Sequence, residues 1–153
     1  MKKFIIAVAL CLLSAVGHSA QSAKNDSGDS ILGNYKAVQG GEPFKVRFTK
    51  NGDGTYKAQI YWLEQPNDPA TGKPKLDTKN PDKSKRTQLS SKVVLIDGLK
   101  YNAAKKQWDG TKIYDPQRGI TANVTATFQS DGRLMLKGTI MGIGEKVYWT
   151  PCQ

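Results

Sequence analysis

Residues 121–140 read TANVTATFQSDGRLMLKGTI, and the two-residue period of this stretch decides the fold. Ala122, Val124, Ala126 and Phe128 fall on one face of an extended chain, and Thr121, Asn123, Thr125 and Thr127 fall on the other. Asp131-Gly132 then supplies a tight turn, since both residue types tolerate the left-handed backbone of a two-residue hairpin connection. Leu134, Leu136 and Ile140 resume the apolar face with Gly138 in phase, where a glycine marks a bend or a close backbone approach. The stretch is an antiparallel hairpin with one face turned to a core.

A second hairpin lies upstream. Phe44, Val46 and Phe48 alternate with Lys45, Arg47 and Thr49, and Tyr56, Ala58, Ile60 and Trp62 share one face of the next run. Asn51-Gly52-Asp53-Gly54 between them is a turn; it lacks the spaced ligands and terminal glutamate of a calcium loop. Shorter strands are expected at residues 34–38, 92–97 and 108–114, and Val147 and Trp149 form a last one after the Gly142-Ile143-Gly144 turn. The expectation is an all-β chain of about eight antiparallel strands, closed as a small up-and-down barrel, with a sandwich as the alternative. Phe44, Phe48, Trp62, Phe128 and Trp149 are the expected aromatic interior, and with it the candidate surface for a small apolar or lipid-like ligand.

Residues 64–91 break the pattern. They carry Pro66, Pro69, Pro74 and Pro81 and no apolar period, so they form a long loop, read as a solvated excursion, with a lid over the barrel mouth as the alternative. Lys73, Lys75, Lys79, Lys83, Lys85 and Arg86 crowd into it against Asp77 and Asp82, which makes them candidates for holding an anionic partner.

The N-terminus reads as an export address. Lys2-Lys3 is followed by an apolar run over residues 4–16 and by Gly17-His18-Ser19-Ala20, the order of a secretory signal peptide over residues 1–20. The run is too short to span a bilayer, and Leu10 before Cys11 does not suit lipid attachment. Residues 21–31, rich in Ser, Asp and Gly, are expected to be a flexible lead-in to a single domain over residues 32–153. Loss of Lys2 and Lys3 lowers the net charge from +10 to +8, and an exported location turns its candidate partners from nucleic acid to envelope anions. Lys45, Lys57, Lys112, Lys137 and Lys146, however, read first as ordinary outward strand positions that keep the chain soluble.

The lone histidine, His18, leaves with the signal peptide, so a mature Ser-His-Asp or Cys-His arrangement has no base, and Cys152 alone makes neither an internal disulfide nor a zinc site. Cys152 reads as an exposed tail thiol, with pairing between chains or with a small thiol as the alternative. No glycine-rich phosphate motif is present, and no cofactor is implied. Asp109 and Asp115 are the remaining acid-base candidates, for a hydrolase needing two carboxyls ~5–9.5 Å apart. Asp109-Gly110 and Asp115-Pro116 are turn formers first, and the expectation is a structural role for each.

The ordered elements Leu95-Ile96-Asp97-Gly98-Leu99, Trp108-Asp109-Gly110, Tyr114-Asp115-Pro116, Gly119, Leu134-x-Leu136-Lys137-Gly138 and Tyr148-Trp149 resemble an uncharacterised family of small exported bacterial proteins, over about residues 33–149. The resemblance implies a lipocalin-like β-barrel and brings no catalytic residues. The chain departs from it with Tyr35 for a tryptophan, with Pro151 for an arginine, and in having no cysteine within residues 64–91. The resulting expectation is an exported, non-enzymatic binding protein for a small apolar ligand, with envelope attachment through the basic loop as the alternative.

Overall fold

The computed structural model describes residues 22–153, and the signal peptide read from the sequence lies outside them. Eight antiparallel strands run in chain order: β1 Gly33–Gln39, β2 Glu42–Lys50, β3 Tyr56–Leu63, β4 Val94–Asn102, β5 Gln107–Asp115, β6 Ile120–Phe128, β7 Leu134–Ile140 and β8 Ile143–Cys152. Each pairs with the next, and β8 returns to β1 through Asn34 opposite Cys152 and Lys36 opposite Thr150. The sheet is a closed up-and-down barrel, which leaves no free edge.

The opening hairpin forms in the register its pattern demands, Ala126 opposite Leu136 and Phe128 opposite Leu134. Val124, Ala126, Phe128, Leu134 and Leu136 are all buried inside the barrel. The same alternation fails at one point in β3. The register slips between Lys45 and Val46, so that Ile60 faces Val46 while Trp62 faces Lys45. The extra residue turns the chain over: Leu63 packs on the core, and Trp62 is 39% exposed on the outer wall beneath the Lys45 ammonium. Trp62 is therefore not an interior residue.

Strand connectivity sorts the loops onto two ends. The connections at residues 40–41, 64–93, 116–119 and 141–142 lie at one end, and those at 51–55, 103–106 and 129–133 lie at the other with the N-terminal segment. This second end is packed shut. Phe48 packs there on Tyr35, and Trp108 on Phe128, in edge contacts with centroids 5.6 and 5.7 Å apart, while Trp149 tilts against Phe48 (5.9 Å) from the level above.

The expected flexible lead-in is corrected. Residues 22–31 form two short 3-10 turns, Ala23–Asp26 and Gly28–Ile31, laid across the packed end. Asn25 is fully buried; its amide donates to the Phe128 carbonyl (2.9 Å) and its carbonyl accepts from the Phe128 N–H (2.7 Å). The Trp108 indole donates to the Gly28 carbonyl, the Tyr101 hydroxyl to the Asn25 carbonyl, and the Tyr56 hydroxyl to Asp29. Burial and the Asp29 carboxylate push the Tyr56 hydroxyl up to about 12, which keeps it a donor. Ile31 fills the remaining space. The polar composition that suggested mobility is the composition of a cap, whose side chains satisfy exposed barrel-end backbone groups.

Candidate functional site

The opposite end of the barrel is hollow. A cavity of about 670 Å³ opens there, walled by Phe44, Leu95, Ile113, Leu136, Val147 and Trp149 and bounded at its mouth by the tips of three hairpins. Its width has a local cause. Gly138 on β7 is paired with Val124 on β6 and has Ala122 as its diagonal neighbour, close enough that a Cβ on Gly138 would stand 3.3 Å from that of Ala122. Small residues at this level leave the space that large ones fill below.

Charge is confined to the rim. The Arg118 guanidinium lies between two carboxylates, 2.6 Å from Asp115 through Nε and 2.8 Å from Glu145 through Nη2. Gln39 donates a further hydrogen bond to Asp115 (2.9 Å), and the Gln117 amide reaches the Gln39 carbonyl. Burial works against the charge on Asp115, but Arg118 and Gln39 outweigh it and hold its carboxyl below the usual range; Arg118 does the same for Glu145. Each of these polar groups is engaged by another at the rim, so the mouth of the apolar well is edged by polar groups tied to one another.

Residues 64–91 are anchored at this end by a few buried contacts, while most of their side chains are exposed, as the solvated reading expected. The segment folds on itself through bridges between Asn67 and Pro74 and between Leu76 and Leu89. Asp77 is 2% exposed and accepts from the Tyr114 hydroxyl (2.7 Å), Asn80 (2.6 Å) and Gln88 (2.9 Å). Burial first, and the Asp77 carboxylate second, raise the Tyr114 hydroxyl well above its ordinary range, so it remains a donor. Between loop and barrel lies a second space of about 430 Å³, which shares Gln39, Phe44, Leu95 and Gln117 with the first.

The loop cations divide into two sets. Lys75 pairs with Glu42 (2.9 Å), Lys79 donates to the Gln117 carbonyl (2.7 Å) and Arg86 to the Asn80 carbonyl (2.7 Å), all holding the loop in place. Lys73, Lys83 and Lys85 are exposed on its outer surface. Of the aromatic candidates, Phe44 and Trp149 stand on the cavity wall, Phe48 and Phe128 are packed in the closed end, and Trp62 is outside. The wall residues Ala122, Leu136 and Val147 were read from sequence as strand positions and not as part of a site, nor was Ile113; the in-phase Gly138 was the one signal of open space at their level.

The Trp108-to-Gly119 motif turns out to tie the barrel to its two closures. Trp108 anchors the N-terminal cap, and Gly110 (φ 84°) makes the bulge that shifts β5 against β6. Asp109 accepts from Gln107 (2.8 Å). Tyr114 anchors the loop, Asp115 caps its own turn through the N–H groups of Gln117 and Arg118, and Pro116 borders the space beneath the loop. Gly119 has φ 68°, and a Cβ there would collide with the Lys79 carbonyl. Asp109 and Asp115 lie six residues apart on β5, ~20 Å at strand rise. That distance separates them by the length of the barrel, and they make no acid-base pair. Among the described residues no group of three or more His, Cys, Asp or Glu could hold a metal, and no helix is long and apolar enough to cross a membrane.

A closed eight-stranded barrel, capped at one end and holding an apolar well at the other, is the architecture of the lipocalin class. Residues 33–151 match the family described as an uncharacterised protein conserved in bacteria (DUF2147), and the chain belongs to that family. A solved structure of similar fold is protein HP1028 from the human pathogen Helicobacter pylori, described as a member of the lipocalin family. It superposes with a TM-score of 0.64 at 23% identity, over 80% of this chain and 83% of that one. Among curated proteins none matches in sequence.

Proposed function

We propose that the chain is an exported, non-enzymatic carrier that holds a small apolar or lipid-like molecule in the open end of its barrel. The observation that carries this reading is the well itself: about 670 Å³, apolar in its depth and polar only at the rim. Specific small-molecule sites occupy ~300–1,000 Å³ and have this distribution of apolar wall and few placed polar groups. Export is supported by the N-terminal pattern of residues 1–20.

The test is native mass spectrometry of the protein purified from its own compartment, followed by titration of delipidated protein with a neutral fluorescent naphthylamine. Expected are a copurified apolar adduct and saturable binding, both lost in Ala122→Leu, which fills the well at its narrow-residue level. A delipidated protein that takes up no apolar probe refutes the reading. Attachment of Lys73, Lys83 and Lys85 to an envelope anion is the second reading, supported by their exposure on the loop; it requires retention on anionic material that falls with salt.

A further inference from the structure

The hairpin between β7 and β8 ends in an apolar point. Ile140 and Ile143 pair across it, and Met141-Gly142 is the two-residue turn. Met141 is 99% exposed and Ile143 78%, and Val38, 60% exposed, borders the same mouth from the β1 side. The turn falls one residue before the glycine-rich cluster that the sequence suggested. Both of its central residues are left-handed, at φ 49° and 81°.

That backbone selects Asn, Asp or Gly, and the left-handed positions of the barrel's other short turns are Gly40, Gly41, Gly54 and Gly132, apart from Lys106 (φ 51°), whose ammonium pairs with Asp26. A methionine in the first of these positions is conformationally disfavoured, and solvent exposure gives it no packing in return. Strain of this kind is retained where a site needs the side chain. Three residues up the outer face, ~10 Å from the tip at strand rise, Lys137 and Lys146 sit directly opposite one another. Like charges facing across strands are also unfavourable unless an anion lies between them.

We propose that this hairpin tip is a membrane-docking element: Met141 and Ile143 enter the apolar edge of a bilayer while Lys137 and Lys146 meet anionic phosphate head groups above it. The spacing fits, since interfacial elements bury ~5–10 Å into the head-group boundary. The consequence is geometric. The tip forms part of the cavity mouth, so docking sets that mouth against the lipid surface, where an apolar molecule can pass between bilayer and well without crossing water. Docking itself needs no ligand in the well and stands apart from the carrier reading.

The experiment is flotation of the chain lacking residues 1–20 with unilamellar vesicles, one set of phosphatidylglycerol and phosphatidylcholine in equal parts and one of phosphatidylcholine alone. Met141→Asn with Ile143→Thr should lower partitioning to both sets at least about tenfold, in line with the apolar area withdrawn. Asparagine suits the left-handed turn, so the circular dichroism and melting temperature should hold. Lys137→Gln with Lys146→Gln should weaken binding to the anionic set alone, about tenfold or more. Ala122→Leu should leave vesicle binding intact even where it abolishes probe uptake, which separates this proposal from the carrier reading. Absence of vesicle binding by the unmutated chain, or binding unchanged by the tip variant, overturns it. So does sedimentation showing a dimer of this chain that the tip variant dissociates, which would make a second copy the occupant.

Discussion

Asn25 is the residue on which closure of the barrel turns. Its side chain pairs both backbone groups of Phe128 at a site without solvent. Asn25→Ala would leave a buried N–H and C=O unpaired, and the expected cost is about 2–4 kcal/mol, read from urea unfolding. Arg118 is the corresponding residue at the open end. Since it depresses Asp115 and Glu145, whose ordinary values are 3.8 and 4.5, its contribution is present above those values. It is lost as pH falls through the lowered folded-state values, because the unfolded chain then binds protons more readily than the folded one. Carbon-13 titration should place both carboxyl midpoints below 3.8 and 4.5, and Arg118→Gln should move both upward. The Asx turn at Asp115 was legible from Asp-Pro spacing alone, whereas its partners Gln39 and Glu145 were not, being 76 residues before and 30 after it in the chain.

At the scale of elements, strands were legible and their exceptions were not. The hairpin over residues 121–140 forms as its alternation requires, because the pleat gives each residue one of two faces. Trp62 obeyed the same pattern in sequence and landed outside, because a single-residue bulge inverts every side chain beyond it. Residues 22–31 and 64–91 carry no apolar period, and each is fixed by side-chain hydrogen bonds that periodicity does not report. The loop over residues 64–91 gives a direct test. Tyr114→Phe removes one of three donors to the buried Asp77 carboxylate. The expected loss is about 1–3 kcal/mol of local docking. It should appear as faster tryptic cleavage at Lys79, Lys83 and Lys85, with little change in the melting of the barrel.

For the whole molecule, charge and cavity are set against each other. The chain is strongly basic at +10, yet the mouth and the space beneath the loop bring Glu42, Asp77, Asp115 and Glu145 together with only Lys75, Lys79 and Arg118. Each of those cations is already committed to a protein acceptor. A ligand carboxylate therefore finds no unengaged cation at the rim and must enter beside carboxylates. A long-chain alcohol should bind at least about tenfold more tightly than the fatty acid anion of equal length, a difference of ~1.4 kcal/mol measurable by competition with the naphthylamine probe. Equal or reversed affinities would contradict this assignment of the rim.

The sequence by itself determined the all-β class, the approximate strand count and the faces, since these follow from a local two-residue period and from turn residues with particular backbone freedom. It also carried the Trp108-to-Gly119 signature, though without its meaning. Only the tertiary structure decided that one end is packed and the other hollow, that Phe44 and Trp149 face the well while Phe48 and Phe128 do not, and that the long loop is seated. The physical reason is that a cavity is a property of what meets across the barrel. Ala122 and Gly138 read as ordinary inward positions on neighbouring strands, and only when the closed sheet sets Phe44, Leu95 and Trp149 around them does their missing volume become the site.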